Sequence, residues 1–135
     1  MILVDTSIVV DVLSGDPDWS EGSARALELC TAGDELSVND IVFAELAAGY
    51  PTMEPLETAL ESLKLTFARM PKEALFLAGH AFRRYRRAGG TRSSVLADFF
   101  VGAHAAALGA AVLTRDSARI RSYFPSVRVI EPDAI

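Results

Sequence analysis

The chain has 135 residues, half of them hydrophobic, a formal net charge of −5 and a single cysteine. That length suits one domain with a core of its own, and the apolar half excludes an intrinsically disordered chain. Charges interrupt every apolar run before the roughly 20 residues a membrane span needs, and Cys30, alone with two histidines, excludes an internal disulfide and a thiolate zinc site, so a cytoplasmic protein is expected.

No charged leader precedes Met1-Ile2-Leu3-Val4, which runs straight into Asp5 and reads as structure. Ile2 to Val4 is a short buried strand. Asp5-Thr6-Ser7 are turn and helix-capping types, and a helix follows from Ile8 to Leu13, stopped by Gly15-Asp16-Pro17. Ser20 to Ala32 is helical by propensity. Leu36-Ser37-Val38 is a second strand. Asn39 or Asp40 caps a helix through Ala47, which Gly49-Tyr50-Pro51 ends. Glu54 to Leu63 is an amphipathic helix, and Leu65-Thr66-Phe67 alternates as a third strand. Pro71 opens a long helix that reaches Gly89-Gly90. Ser93 or Ser94 caps a helix from Val95 to Leu108, closed by Gly109. Ala111 to Thr114 is a strand, a helical turn follows Asp116, and Val127 to Ile130 is the last strand. Short apolar strands alternating with helices predict an α/β fold whose parallel sheet is covered on both faces.

Four acids stand out from this pattern. Asp5 and Asp116 follow predicted strands, and sites in open parallel sheets form at the carboxyl ends of strands. An Asp there also serves as an ordinary helix cap. Asp98 lies in a helix that is apolar almost all round, and a lone buried carboxylate costs several kcal/mol or more. Its ordinary alternative is a first-turn acid complementing the helix dipole. Glu45 shares a helical line with Ile41 and Gly49, so its carboxylate is expected on a packed face; the alternative is a buried stem with its head in water. Taken together the four predict one acidic pocket. Crowded carboxylates repel one another, and a hard dication such as magnesium or manganese removes the repulsion. One or two such ions suit in-line displacement at a phosphodiester.

These residues also carry a resemblance. Met1-Ile2-Leu3-Val4-Asp5-Thr6-Ser7 resembles the opening of PIN-domain nucleases, and specifically of VapC-type toxins. The pattern continues, in order and over nearly the whole chain, with Phe43-Ala44-Glu45-Leu46, Leu96-Ala97-Asp98-Phe99 and Thr114-Arg115-Asp116. The resemblance implies a three-layer α/β/α sandwich with a central parallel sheet, as a single domain over residues 1–135. It implies that Asp5, Glu45, Asp98 and Asp116 are catalytic and that Asp5, Asp98 and Asp116 hold Mg²⁺ or Mn²⁺. The hydroxyls of Thr6, Ser7 and Thr114 would support those carboxylates or position water. The implied activity is endoribonuclease cleavage of RNA by the toxin of a toxin–antitoxin pair. A homodimer and a cognate antitoxin that covers the pocket are implied as well. Phe99-Phe100 departs from the small or aliphatic residues usual there, which bears on local packing.

Net charge does not favour a polyanion partner, but acids gathered around cations would be cancelled locally. Arg83, Arg84, Arg86, Arg87 and Arg92 form a local basic stretch, read either as a phosphate contact or as a solvated helix end. Arg87, Arg92 and Arg115 are the candidate RNA contacts, and Arg115 has the alternative of pairing with a neighbouring acid. His80 and His104 are expected to be structural, Ser7 lacks a base for nucleophilic attack, and Trp19 is expected to pack or to anchor a partner. Two other functions are weighed. A phosphatase with Asp5 as nucleophile normally carries a second acid two residues on, where Ser7 stands, and neither it nor a phospho-receiver fits a chain whose last lysine is Lys72. A catalytically inactive RNA- or protein-binding module is the other.

Overall fold

The structure is a computed structural model and describes residues 1–92 and 96–132. The capping serines Ser93 and Ser94 fall outside the described residues. In chain order the elements are β1 (Ile2–Val4), α1 (Thr6–Ser14), α2 (Ser20–Thr31), β2 (Leu36–Asn39), α3 (Asp40–Ala47), α4 (Met53–Ser62), β3 (Leu65–Ala68), α5 (Lys72–Arg87), α6 (Leu96–Leu108), β4 (Ala111–Leu113), α7 (Ala118–Tyr123) and β5 (Val129–Ile130).

The five strands form one parallel sheet in the order β3-β2-β1-β4-β5. β1 is central and buried along its whole length, as an uninterrupted Ile-Leu-Val run requires when both faces are covered. With this strand order the right-handed rule for parallel crossovers assigns α1 to α4 to one face and α5 to α7 to the other. α1 packs on α2, and α6 packs on both α5 and α7. The core runs through Val4, Val38, Val112 and Leu113 of the sheet to Ile8 and Val9 beneath one layer and Phe99 and Ala103 beneath the other. This is the α/β/α arrangement expected.

Local chemistry sets the boundaries. Gly15, at φ 67°, closes α1 in the left-handed conformation, and its N–H reaches the Asp11 and Val12 carbonyls. The Asn39 carboxamide oxygen accepts from the N–H groups of Ile41 (3.1 Å) and Val42 (3.0 Å), so Asn39 rather than Asp40 caps α3. The last strand is shorter than expected, at Val129–Ile130. β3 is an edge strand, which leaves Phe67 exposed against Phe43. The aromatic pair at 99–100 is also accommodated. Phe99 is fully buried at the centre of a cluster of Phe82, Tyr85, Tyr123 and Phe124, with ring centroids 5.1–6.5 Å from its own.

Candidate active site

In this strand order the chain moves from β1 out to β3, returns, and continues from β4 to β5 on the other side. The switch point lies between β1 and β4, where crossovers diverge and a crevice opens at the carboxyl ends. Asp5 follows β1 and Thr114-Arg115-Asp116 follows β4, so both edge acids flank that crevice.

Asp5 occupies the N-cap position of α1, yet its side chain makes no capping bond. The ordinary cap explanation therefore does not account for it. Its Oδ2 instead accepts from the hydroxyls of Thr114 (2.8 Å) and Ser7 (3.2 Å). Burial drives the Asp5 pKa up, the Thr114 bond opposes this most, and the charge of Asp116 adds to the rise. Asp116 is not the cap of α7 either; that position belongs to Ser117. The Asp116 N–H donates to Thr114 Oγ1 at 3.0 Å. The single buried hydroxyl of Thr114 thus ties together both strand-end acids.

Asp98 projects from the first turn of α6 and is 21% exposed. Its pKa is pushed up to about 6, first by burial and further by the charges of Asp5 and Asp116. Arg119 opposes the rise, with Nη1 3.0 Å from Asp98 Oδ2. The charge of Asp116 therefore reaches both Asp5 and Asp98, and that of Asp5 reaches Asp98, although the three are far apart along the chain.

Glu45 differs from expectation. It is exposed, because α3 buries the line through Val42 and Leu46 and turns the line of Glu45 outward. Thr6, the neighbour of Asp5 in the chain, reaches it, its hydroxyl donating to Glu45 Oε1 at 2.6 Å. Thr6, Ser7 and Thr114 thus each touch one of the acids.

Arg115 is a second correction. Its Nε and Nη2 grip Asp11 at 2.8 and 2.9 Å, its guanidinium lies 4.7 Å from the Trp19 ring centre, and Ser23 donates to the same carboxylate at 2.8 Å. Asp11 is 2% exposed. The fork of Arg115 is filled by the protein and is not offered to phosphate, and Trp19 packs under it. Arg87 is exposed in the last turn of α5, while Arg92 lines a cleft of about 400 Å³ with Tyr85, Asp116, Arg119, Ser122 and Tyr123. Neither histidine faces the crevice acids. His104 is buried with Nδ1 3.3 Å from the Asn39 amide, and His80 stacks on Phe76.

Sequence reasoning passed over Arg119 and Asp11, and both carried a signal. Arg119 is a cation in the first turn of a helix, where the dipole disfavours it, so it needs an acidic partner. Asp11 interrupts the apolar run Ile8 to Leu13 just as Asp98 interrupts its own.

The donor set is all carboxylate and hydroxyl oxygen, which suits magnesium or manganese rather than zinc. Among the described residues, no three acidic, histidine or cysteine side chains converge closely enough to hold an ion as they now lie. The fit rests on the mutual repulsion of Asp5, Asp98 and Asp116 and on the guanidinium standing on Asp98 as a positive charge among them.

The PIN-domain family model matches residues 2–123. No curated protein sequence matches the chain significantly. Among solved structures, the chain is similar to VapBC2 from Rickettsia felis bound to a promoter DNA fragment, with TM-score 0.73 and 20% identity over 97% of this chain and 98% of that one. VapBC-1 from nontypeable Haemophilus influenzae gives TM-score 0.73 and 19% identity over 98% and 99% of the two chains. FitAcB from Neisseria gonorrhoeae gives TM-score 0.70 and 20% identity over the full length of both. Likeness at this identity speaks for the fold.

Proposed function

The chain belongs to the PIN-domain family, and from that premise we propose that it is a metal-dependent endoribonuclease, the toxin half of a toxin–antitoxin pair, acting as a single domain over residues 1–135. The observation that carries this reading is that both strand-end acids follow the strands at the switch point of the sheet, with the charge of Asp116 acting on Asp5 and the charges of both acting on Asp98. Repulsion of that kind lowers stability unless cations offset it, and a fold that retains it has a use for the charge.

In this reading Asp5, Asp98 and Asp116 hold Mg²⁺ or Mn²⁺. The bound ion supplies charge neutralisation at the scissile phosphate and a more acidic water. The protein supplies the positioning. Thr114 and Ser7 fix the Asp5 carboxylate, and Thr114 also fixes the backbone of Asp116. Thr6 orients Glu45, whose exposed carboxylate would take the proton of an attacking water. Arg92, in the cleft beside Asp116, is placed for an RNA phosphate, and Arg87 extends the positive surface along α5. The Asp5-nucleophile alternative is disfavoured because Ser7, not a second acid, stands two residues on.

A structural neighbour from Klebsiella pneumoniae is a toxin–antitoxin complex, which supports a cognate antitoxin that covers this crevice. A homodimer in the cytoplasm belongs to the same proposal. The test is RNA cleavage by the purified protein with magnesium or manganese. Asp98→Asn should reduce the rate by about a hundredfold or more while the circular dichroism stays unchanged. An Asp98→Asn protein that cleaves as fast as the parent overturns the reading.

A further inference from the structure

Arg119 is the one cation that the described residues place directly on a crevice acid. It approaches Asp98 Oδ2 at 3.0 Å with both side chains only about one-fifth exposed, at 22% and 21%. Its guanidinium lies 5.7 Å from the Tyr85 ring centre, and Arg119 and Asp116 both line the same cleft. A helix start is a poor place for a cation, so this position is held by the acids and by Tyr85 against the dipole of α7. Asp98 is turned toward a guanidinium, and a dication would have to share that oxygen or take it.

We propose that Arg119 is a displaceable counter-ion, which neutralises the acid cluster when no metal is bound and competes with the metal for Asp98. The proposal rests on the reading of Asp5, Asp98 and Asp116 as metal ligands and adds a determinant of affinity. Its physical basis is that a unit positive charge a few ångström from a dication weakens binding about tenfold or more, even where water screens much of the interaction. The open side of Arg119 is the cleft it shares with Arg92 and Ser122, which leaves the guanidinium room to swing away when the ion arrives.

Calorimetric titration of Mn²⁺ into metal-free protein tests this without any measurement of cleavage. The titrations use the same buffer at pH 8 for every variant. Arg119→Gln should bind Mn²⁺ about tenfold more tightly than the parent. Arg119→Lys keeps the charge and should stay within about threefold of it. In the parent, the Arg119 guanidinium resonance, assigned by its absence in Arg119→Lys, should move on saturation with Mg²⁺. If Arg119→Gln binds no more tightly than the parent, or the resonance stays where it was in saturating Mg²⁺, the counter-ion proposal falls while the metal reading stands. Asp5→Asn separates the two: if the parent shows no Mn²⁺ binding that Asp5→Asn weakens, the metal reading itself falls and takes the proposal with it.

Discussion

Thr114 is a fully buried hydroxyl that donates to Asp5 and accepts from the Asp116 N–H. Valine has nearly the same shape and can do neither. Thr114→Val should cost about 1–3 kcal/mol of stability by leaving buried polar groups unpaired, and Thr114→Ser should recover most of it. Urea unfolding midpoints of the three proteins measure this; equal midpoints would mean that the hydroxyl is idle. Asp98 gives a prediction with a sign. Its folded-state pKa of about 6 lies above the ordinary 3.8. Below both values the acid is protonated in both states and adds nothing. As pH rises from about 4 to about 6 the unfolded chain ionises freely while the fold retains its proton, so stability falls across that window. Asn at this position cannot ionise, and its amide oxygen still accepts from Arg119. In chelator, Asp98→Asn should therefore melt higher than the parent at pH 7.5, and the gain should disappear near pH 4. A gain that is the same at both pH values would refute the assigned shift.

Between elements, a two-bonded ion pair joins α1 to the turn after β4. Asp11 is buried, and Arg115, Ser23 and Trp19 close around it from that turn, α2 and the segment before α2. Removing one partner leaves a buried charge unpaired, so Arg115→Ala should cost about 3–5 kcal/mol, and Asp11→Asn combined with Arg115→Ala should cost much less than the sum of the singles. Additive costs in denaturant unfolding would show that the pair is not a unit. Arg115 also marks how far the sequence can be read. Order and type of the elements were legible because apolar runs, caps and glycine stops agree along the chain, and Asp5, Asp98 and Asp116 were legible because each interrupts or ends such a run. What no run of letters shows is which side of a short helix faces inward. α3 has apolar residues on most sides, so Glu45 looked buried, whereas packing chose Val42 and Leu46. Nor does spacing show which acid, Asp11 or Asp116, an arginine between two strands' ends will meet.

At the scale of the whole molecule, the sheet order decides where charge accumulates. A net charge of −5 spread over the surface would matter little, but the switch point gathers Asp5, Asp98 and Asp116 into one crevice. Arg119 neutralises only part of that charge, and the remainder opposes folding in the absence of metal. A dication that binds only the folded state must then stabilise it by mass action. At ten times its dissociation constant the gain is about 1.4 kcal/mol, which for a domain of this size is a rise in Tm of roughly 3–6 °C. Asp5→Asn should abolish most of that rise while it melts no lower than the parent in chelator, since it removes a charge that burial disfavours. The comparison needs only melting curves with magnesium and with chelator. If the parent responds to neither, the crowded acids are not a metal site, and their mutual repulsion would then need another cause.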